Sequence, residues 1–382
     1  MLGRKPPLGE ISLEHFMRVH WQRRPLLVRN AFPGFRSPVP PQRLFDLAAQ
    51  DDVESRLVSS ARGRWSLRHG PFEAGELPLP ARRDWTLLVQ GVDLHLDEIH
   101  SLLGRFRFVA DARLDDLMIS YAVDGGGVGA HVDSYDVFLL QAHGRRRWRI
   151  GWPRSSELLS GVPMKILARF EPTDEYVLEA GDMLYLPPGW AHEGTALGEC
   201  MTFSVGFRAP SRHELLGAWF AECADSPPSG PDPRYSDRGT GPTRTPGRLP
   251  EAMHAVLAKW LRDWRPTPQE IDRFMGRFLT EPKPNVWFQA PGRRTNPAGF
   301  SSRALRSGLR VDRRSRLAYR RRDFFINGEH LPMTAKSAPL LRRLADERGL
   351  PPDALKGTSV DPELISCLRE WFDAGWIRFG SP

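Results

Sequence analysis

Between residues 84 and 208 apolar and polar positions alternate in short runs broken by glycine and proline; beyond residue 211 the apolar spacing lengthens to three and four. Alternation of period two marks half-buried strands, and spacing of three to four marks amphipathic helices. Residues 12–36 read as a helix followed by a strand. Residues 84–90 and 117–123 read as strands, with a helix over 96–103 between them. Residues 136–141, 145–151, 175–179, 182–186 and 200–208 read as further short strands. Many short strands separated by turns predict a jelly roll, which can carry ligands from separate strands to one barrel mouth.

The second pattern predicts a helix over 211–223 with Leu215, Leu216, Trp219 and Phe220 on one stripe. Residues 225–249 are rich in proline, glycine and serine and read as a loop or linker. A helix follows over 250–264. The next one has a clear start: Thr267 as cap, Pro268 at the first position and Glu270 completing a capping box. Residues 337–347 read as a helix. Asp361 followed by Pro362 opens another, Gly375 ends it, and 376–379 reads as a strand, a succession that fits a winged-helix-like module. The chain is thus expected to be an α+β multidomain protein. A jelly-roll catalytic domain would span 1–210, a helical region 211–310 and a winged-helix-like domain 311–382.

Candidate chemistry concentrates in the first region. GGGVGAHVD (125–133) puts His131 and Asp133 two residues apart, on one face of a strand. His192 follows 59 residues after Asp133, beyond the Pro-Pro-Gly turn at 187–189. Two imidazoles and one carboxylate on one face make the facial triad of non-heme Fe(II) oxygenases. The glycine run is not a phosphate loop, because the Lys-Ser/Thr ending and the following helix are missing. The remaining histidines have no partner at ligand spacing.

In RRRWRI (145–150), alternation puts Arg146 on the face of Trp148 and Ile150, with Arg145, Arg147 and Arg149 opposite. An inward arginine demands an anion: a buried glutamate or, beside the triad, a dicarboxylate such as 2-oxoglutarate.

Composition narrows the setting. No apolar run is long enough for a transmembrane helix, and no apolar signal core opens the chain. Cys200, Cys223 and Cys367 are scattered without metal or disulfide spacing. A cytoplasmic protein is expected. The net charge of +8 is uneven, since residues 293–322 hold eleven arginines and one acid, Asp312. Such a stripe suits nucleic acid or a lid over an acidic neighbouring domain.

Three stretches carry a family resemblance: MISYAVDGGGVGAHVDSYDVFLLQAHGRRRWRIGW (118–152), GDMLYLPPGWAHEG (181–194) and FSVGFRAP (203–210). They resemble the JmjC/cupin-type bacterial ribosomal oxygenases, and HWQRRPLLVRNAF (20–32) resembles that group's opening segment. The resemblance implies a double-stranded β-helix and the use of Fe(II), 2-oxoglutarate and O2. It also implies hydroxylation of the β-carbon of an arginine in a large-subunit ribosomal protein, the sixteenth. His131, Asp133 and His192 would ligate iron, and Arg146 would bind the distal carboxylate of 2-oxoglutarate. Asp116, Met118, Tyr135 and Ser204 would hold the substrate arginine. Ala122 departs from a serine of the bacterial relatives, which implies one missing hydrogen bond to the cosubstrate. The resemblance also implies a homodimer formed through the helical region. Two other readings stay open: a histidine target, as in eukaryotic ribosomal oxygenases, and a DNA-binding regulator with a cupin sensor.

Overall fold

The computed structural model describes residues 6–61, 63–73, 75–225, 233–236, 238–239, 241–292, 295–355 and 361–380. Parts of the proline- and glycine-rich segment, and residues 293 and 294 of the arginine-rich stretch, lie outside the described residues.

The N-terminal part begins with α1 (Leu13–Val19), capped by Ser12, then β1 (Leu26–Val28), α2 (Pro41–Ala48), β2 (Ser55–Ala61), β3 (Arg64–His69) and β4 (Trp85–Val89). α3 (Asp97–Leu103), β5 (Leu114–Ala122), β6 (His131–Val132) and β7 (Val137–Gly151) follow, then β8 (Asp174–Leu178), β9 (Met183–Leu186) and β10 (Ala191–Phe207). These strands form one antiparallel sheet in the order β1-β9-β7-β10-β5-β4-β2-β3, with β6 added on β10 and β8 on β7.

The spine is longer than alternation alone indicated. The runs 136–141 and 145–151 are one strand, β7, and 200–208 is the far half of β10. Both strands turn a corner where their register slips, between Leu197 and Met201 on β10, opposite His143 and Arg145 on β7. Gly144 has φ 62°, and a Cβ there would lie 2.1 Å from the Glu199 carbonyl oxygen, so only glycine fits. The slip switches the parity of the strand. Before it, Val137 and Leu139 share a small core with Leu184 and Leu186; after it, Trp148 and Ile150 join that core. Phe138 and Leu140 face the larger core instead, with Phe16, Tyr121, Tyr185 and Phe203. β7 is buried on both faces over 137–142; past the slip only the face of Arg146, Trp148 and Ile150 is buried, with Arg145, Arg147 and Arg149 on the outer side.

The helical region holds α4 (Arg212–Asp225), α5 (Glu251–Asp263), α6 (Pro268–Thr280) and α7 (Pro297–Ser307). The capping box of Thr267 and Glu270 forms as its sequence predicts. Neither α4 nor α5 buries a residue. Of the α4 stripe, Trp219 packs on Phe274 and Trp264, while Leu216 and Phe220 are about half exposed.

The C-terminal part comprises β11 (Leu309–Val311), β12 (Leu317–Arg320), β13 (Asp323–Ile326), β14 (Glu329–Pro332), α8 (Ala338–Glu347), β15 (Gly349–Leu350), α9 (Pro362–Asp373) and β16 (Ile377–Phe379). It carries two three-stranded sheets, β15-β11-β16 and β12-β13-β14. Its core includes Phe300 and Ala304 of α7, so that unit begins before residue 311. α6 lies so close to β13 that a Cβ on Gly276 would fall 2.4 Å from the Phe325 ring. No helix among the described residues is long and apolar enough to cross a membrane.

Candidate active site

β6 and β10 pair so that His131 and His192 stand directly opposite each other, their ring centroids 4.2 Å apart. Each ring turns its Nδ1 to the carbonyl two residues back: His131 to Gly129 at 3.0 Å, His192 to Trp190 at 3.2 Å. A carbonyl can only accept, so both Nδ1 atoms carry the hydrogen and both Nε2 lone pairs are free for a cation. Asp133, immediately after β6, places Oδ2 3.7 Å from His192 Nε2. One ligand atom from each of the three residues lies within 4.8 Å of the others. Burial, then His131 and Arg146, press the His192 proton affinity well below the ordinary imidazole range; burial raises that of Asp133. A half-buried carboxylate beside two imidazoles fits a divalent cation by its donor set.

The glycine run serves this geometry. Gly129 has φ 79°, and a Cβ there would meet the Ile166 side chain at 2.9 Å. The turn at 187–189 is tied to the ligand strand by the Gly189 N–H, which donates to the Asp133 carbonyl at 2.9 Å.

Arg146 is only 3% exposed and, as alternation predicts, shares its face with Trp148 and Ile150. Its guanidinium donates to Ser120 Oγ at 3.0 Å, Thr202 Oγ1 at 3.4 Å and the Gly194 carbonyl at 3.3 Å. No carboxylate among the described residues pairs with it, so the buried-glutamate alternative has no partner here. Its Nε and the Trp148 indole Nε1 are buried without a hydrogen-bond partner. Burial lowers the proton affinity of Arg146, yet a guanidinium stays charged. The pocket adjoins the triad: the Trp148 and His192 rings are 5.9 Å apart.

Ala122 packs against Ala196 and Cys200. The hydroxyls beside Arg146 come from Ser120, two residues earlier on β5, and from Thr202, directly opposite Ser120 on β10. Neither was singled out in the sequence, although period two counted back from Ala122 leads to Ser120. Thr202 is itself anchored by donating to Gln141 Oε1 at 3.0 Å.

The residues expected to hold a substrate arginine lie across the sheet. Ser204 and Met118 are direct neighbours on β10 and β5. A Cβ on Gly206 would be 3.9 Å from Asp116 Oδ1 and 4.0 Å from Tyr135 Cε2, so the acid and the phenol flank the same glycine. The Tyr135 hydroxyl donates to Asp133. Asp116 is 2% exposed and accepts from Gln90 Nε2 at both oxygens, 3.0 and 2.9 Å, and from Lys283 Nζ at 2.7 Å. Lys283 has no strand or helix pattern around it, and nothing in the sequence pointed to it.

The arginine-rich stretch is divided: Arg303, Arg306, Arg320, Arg321 and Arg322 are exposed, whereas Arg313, Arg314 and Arg316 are partly buried and turn inward. Arg313 donates to the Leu94 carbonyl at 2.7 Å and to Asp97 at 2.9 Å, Arg314 to the carbonyls of Leu94 and Trp287, and Arg316 to the Asp115 carbonyl at 3.1 Å. These residues line a cavity of about 820 Å³ between the barrel and the C-terminal unit. Eight arginines and eight acids line it, so its charge is balanced and offers no net attraction to a polyanion.

Comparison with known proteins agrees with this architecture. The sequence matches the JmjC domain family over residues 101–215 and the ROXA-like winged helix over 258–378. It is 34% identical to the ribosomal protein uL16 3-hydroxylase of Escherichia coli (strain K12), across 95% of this chain and 96% of that protein. It is 29% identical to a probable ribosomal oxygenase of Haemophilus influenzae, across 96% of each. Among solved structures, YcfD, a ribosomal oxygenase from Escherichia coli in complex with cobalt and 2-oxoglutarate, superposes with a TM-score of 0.80 at 33% identity, over 97% of this chain and 98% of that one. A jelly-roll sheet with two histidines and an aspartate at its mouth, a winged-helix unit behind it and a relative matched over nearly its whole length lead to one assignment: the chain belongs to the JmjC-domain ribosomal oxygenases.

Proposed function

We propose that this chain is an Fe(II)- and 2-oxoglutarate-dependent oxygenase that hydroxylates the β-carbon of an arginine in the sixteenth large-subunit ribosomal protein. The observation that carries the reading is Arg146, a buried guanidinium without a carboxylate, placed beside a three-residue metal-ligand set. When bound, iron, O2 and 2-oxoglutarate supply the oxidising power for C–H hydroxylation, with succinate and carbon dioxide as by-products.

The residues divide the remaining work. His131, Asp133 and His192 hold the metal on one side and leave the other side open. Arg146, with the Ser120 and Thr202 hydroxyls, receives the distal carboxylate of 2-oxoglutarate and replaces its water shell. Asp116 pairs with the substrate guanidinium, Met118 and Tyr135 flank its stem and plane, and Ser204 closes the strand side. A carboxylate suits a permanent cation better than a neutral imidazole, which favours an arginine target over a histidine.

The same reading assigns catalysis to 1–210, pairing of two copies to the helices that follow, and a winged-helix-like unit to the C-terminal part, which takes in α7 as well as 311–382. The support for a homodimer is the exposed apolar surface of the helices, including Leu216, Phe220, Leu257 and Leu261. A protein of this activity would work in the cytoplasm, where its ribosomal substrate is made. The inward contacts of Arg313, Arg314 and Arg316 weigh against a nucleic-acid surface or a DNA-binding regulator.

The test is mass spectrometry of a ribosomal-protein peptide incubated with the chain, Fe(II), 2-oxoglutarate and ascorbate. One added oxygen on the target arginine is expected, and His131→Ala should abolish it together with metal binding. Succinate release without peptide oxidation would reject the substrate, and neither product would reject the activity.

A further inference from the structure

The acid assigned to the substrate guanidinium already carries a cation. Lys283 Nζ lies 2.7 Å from Asp116 Oδ2 and 3.0 Å from Asp115 Oδ1. That ammonium does not belong to the barrel. It comes from the segment after α6, between Pro282 and Pro284, whose fixed φ angles stiffen its approach. With Gln90 on both oxygens and Lys283 on one, the Asp116 carboxylate is covered and its side chain is 3% exposed. Burial lowers the proton affinity of Lys283, but Asp116 and Asp115 more than reverse that and hold the proton more firmly than in a free lysine.

The contact is covered but not sealed. The Lys283 side chain is 29% exposed and that of Asp115 35%, so the ammonium can swing to water or rest on Asp115 alone. Across Asp116, on the side of Gly206, stands Tyr135, whose hydroxyl reaches the metal ligand Asp133. One carboxylate thus lies between an internal cation and the mouth of the site.

We propose that Lys283 is a built-in competitor for the substrate pocket: an incoming cationic side chain must displace its ammonium from Asp116 before the substrate can seat. The inference rests on the reading that Asp116 receives the substrate arginine. An ammonium is a point charge, whereas a guanidinium forms two parallel bonds to one carboxylate. An arginine therefore gains a bond in the exchange, and a lysine replaces like with like. Displaced Lys283 keeps Asp115, so the exchange costs one ion pair and not two. Residue 283 is in this view a specificity-determining residue that no metal or cosubstrate touches.

The experiment is calorimetric binding of two peptides to the full chain, without turnover. One carries the target arginine, and the other has the neutral isostere citrulline in its place. Lys283→Met should tighten the arginine peptide about tenfold, if the lysine occupies Asp116 about nine-tenths of the time, and leave the citrulline peptide unchanged. Lys283→Arg, a stronger competitor, should weaken the arginine peptide. A merely structural lysine gives a different pattern: Arg would conserve binding and Met would lose it. That pattern, or no change in either variant, overturns the inference. Asp116→Asn separates the two readings. If it abolishes the preference for arginine over citrulline while the Lys283 variants do nothing, the pocket stands and the competitor falls. If wild type and Asp116→Asn both bind the two peptides alike, the pocket reading fails and takes the inference with it.

Discussion

Arg146, buried inside the barrel, and the half-buried arginines at its junction with the C-terminal unit differ in their surroundings in one respect. Arg146 has hydroxyls, a carbonyl and a tryptophan ring around it, and no carboxylate. Arg313 and Arg316, at the junction with the C-terminal unit, each have an acid, Asp97 and Asp115. Counted by residue type the second region is the more basic; judged by unmet charge the first is. Removing two charges from water is costly, and a region that supplies both signs has already met that cost. Arg146 has met only half of it, and the shortfall identifies the ligand as an anion. A charge run is therefore a poor guide to a binding site, and a single unneutralised guanidinium on a strand's inner face is a good one.

The sharpest way to break this contrast is Arg146→Met. Loss of two charge-assisted hydrogen bonds should weaken 2-oxoglutarate binding by about a hundredfold or more. Because the wild-type charge is buried without a counter-ion, the variant should melt no lower than wild type, and higher if methionine fills the space. Cosubstrate titration and a melting curve check both halves. A clear fall in melting temperature with affinity retained would make Arg146 structural and cancel the comparison.

How much of this could be read from the chain follows the same division. Local rules reached the His131–Asp133 pair, the inward parity of Arg146, the Thr267 capping box and the Asp361 start, because each is set within a few residues, and His192 through the turn before it, although pairing of β6 with β10 is what brings it to the other two. Features set by long-range packing were out of reach. The joining of two short runs into β7 depends on a corner at Gly144 that faces Glu199 and Cys200 on another strand. The hairpin of β2 and β3 went unread, since β3 is largely exposed and shows little apolar alternation. Ser120 could have been found by stepping back two residues from Ala122, but its role depends on Thr202, 82 positions later. Lys283 meets Asp116 across 167 positions with no local pattern at either end.

At the junction the opposite response is expected. Arg313→Met and Arg316→Met each remove one partly screened ion pair and its carbonyl contacts, so a loss of about 2 °C in melting temperature should follow, with 2-oxoglutarate affinity unchanged. Differential scanning calorimetry alongside the same cosubstrate titration measures this. If either variant altered cosubstrate binding as strongly as Arg146→Met, the two regions would be coupled and the division into a binding and a stapling set would be wrong.

The smallest effect sharpens the comparison at the point where the two regions meet. Asp93 lines the junction cavity, and its Oδ1 accepts the Leu117 N–H at 2.8 Å, one residue from Asp116. Burial, then the nearby Asp116 charge, pushes its carboxyl up to about 7. In the unfolded chain the same group titrates near the ordinary aspartate value of about 4. A carboxyl raised on folding contributes its stability while protonated, and that contribution is complete below about pH 4 and lost as pH rises through about 7. Asp93→Asn keeps an oxygen for the Leu117 N–H and removes the titration. Relative to wild type, the variant should therefore gain melting temperature as pH rises from 5 to about 7 and level off above that. Parallel curves would mean that Asp93 is charged and paired like the other junction acids, and would leave the contrast with Arg146 to the arginines alone.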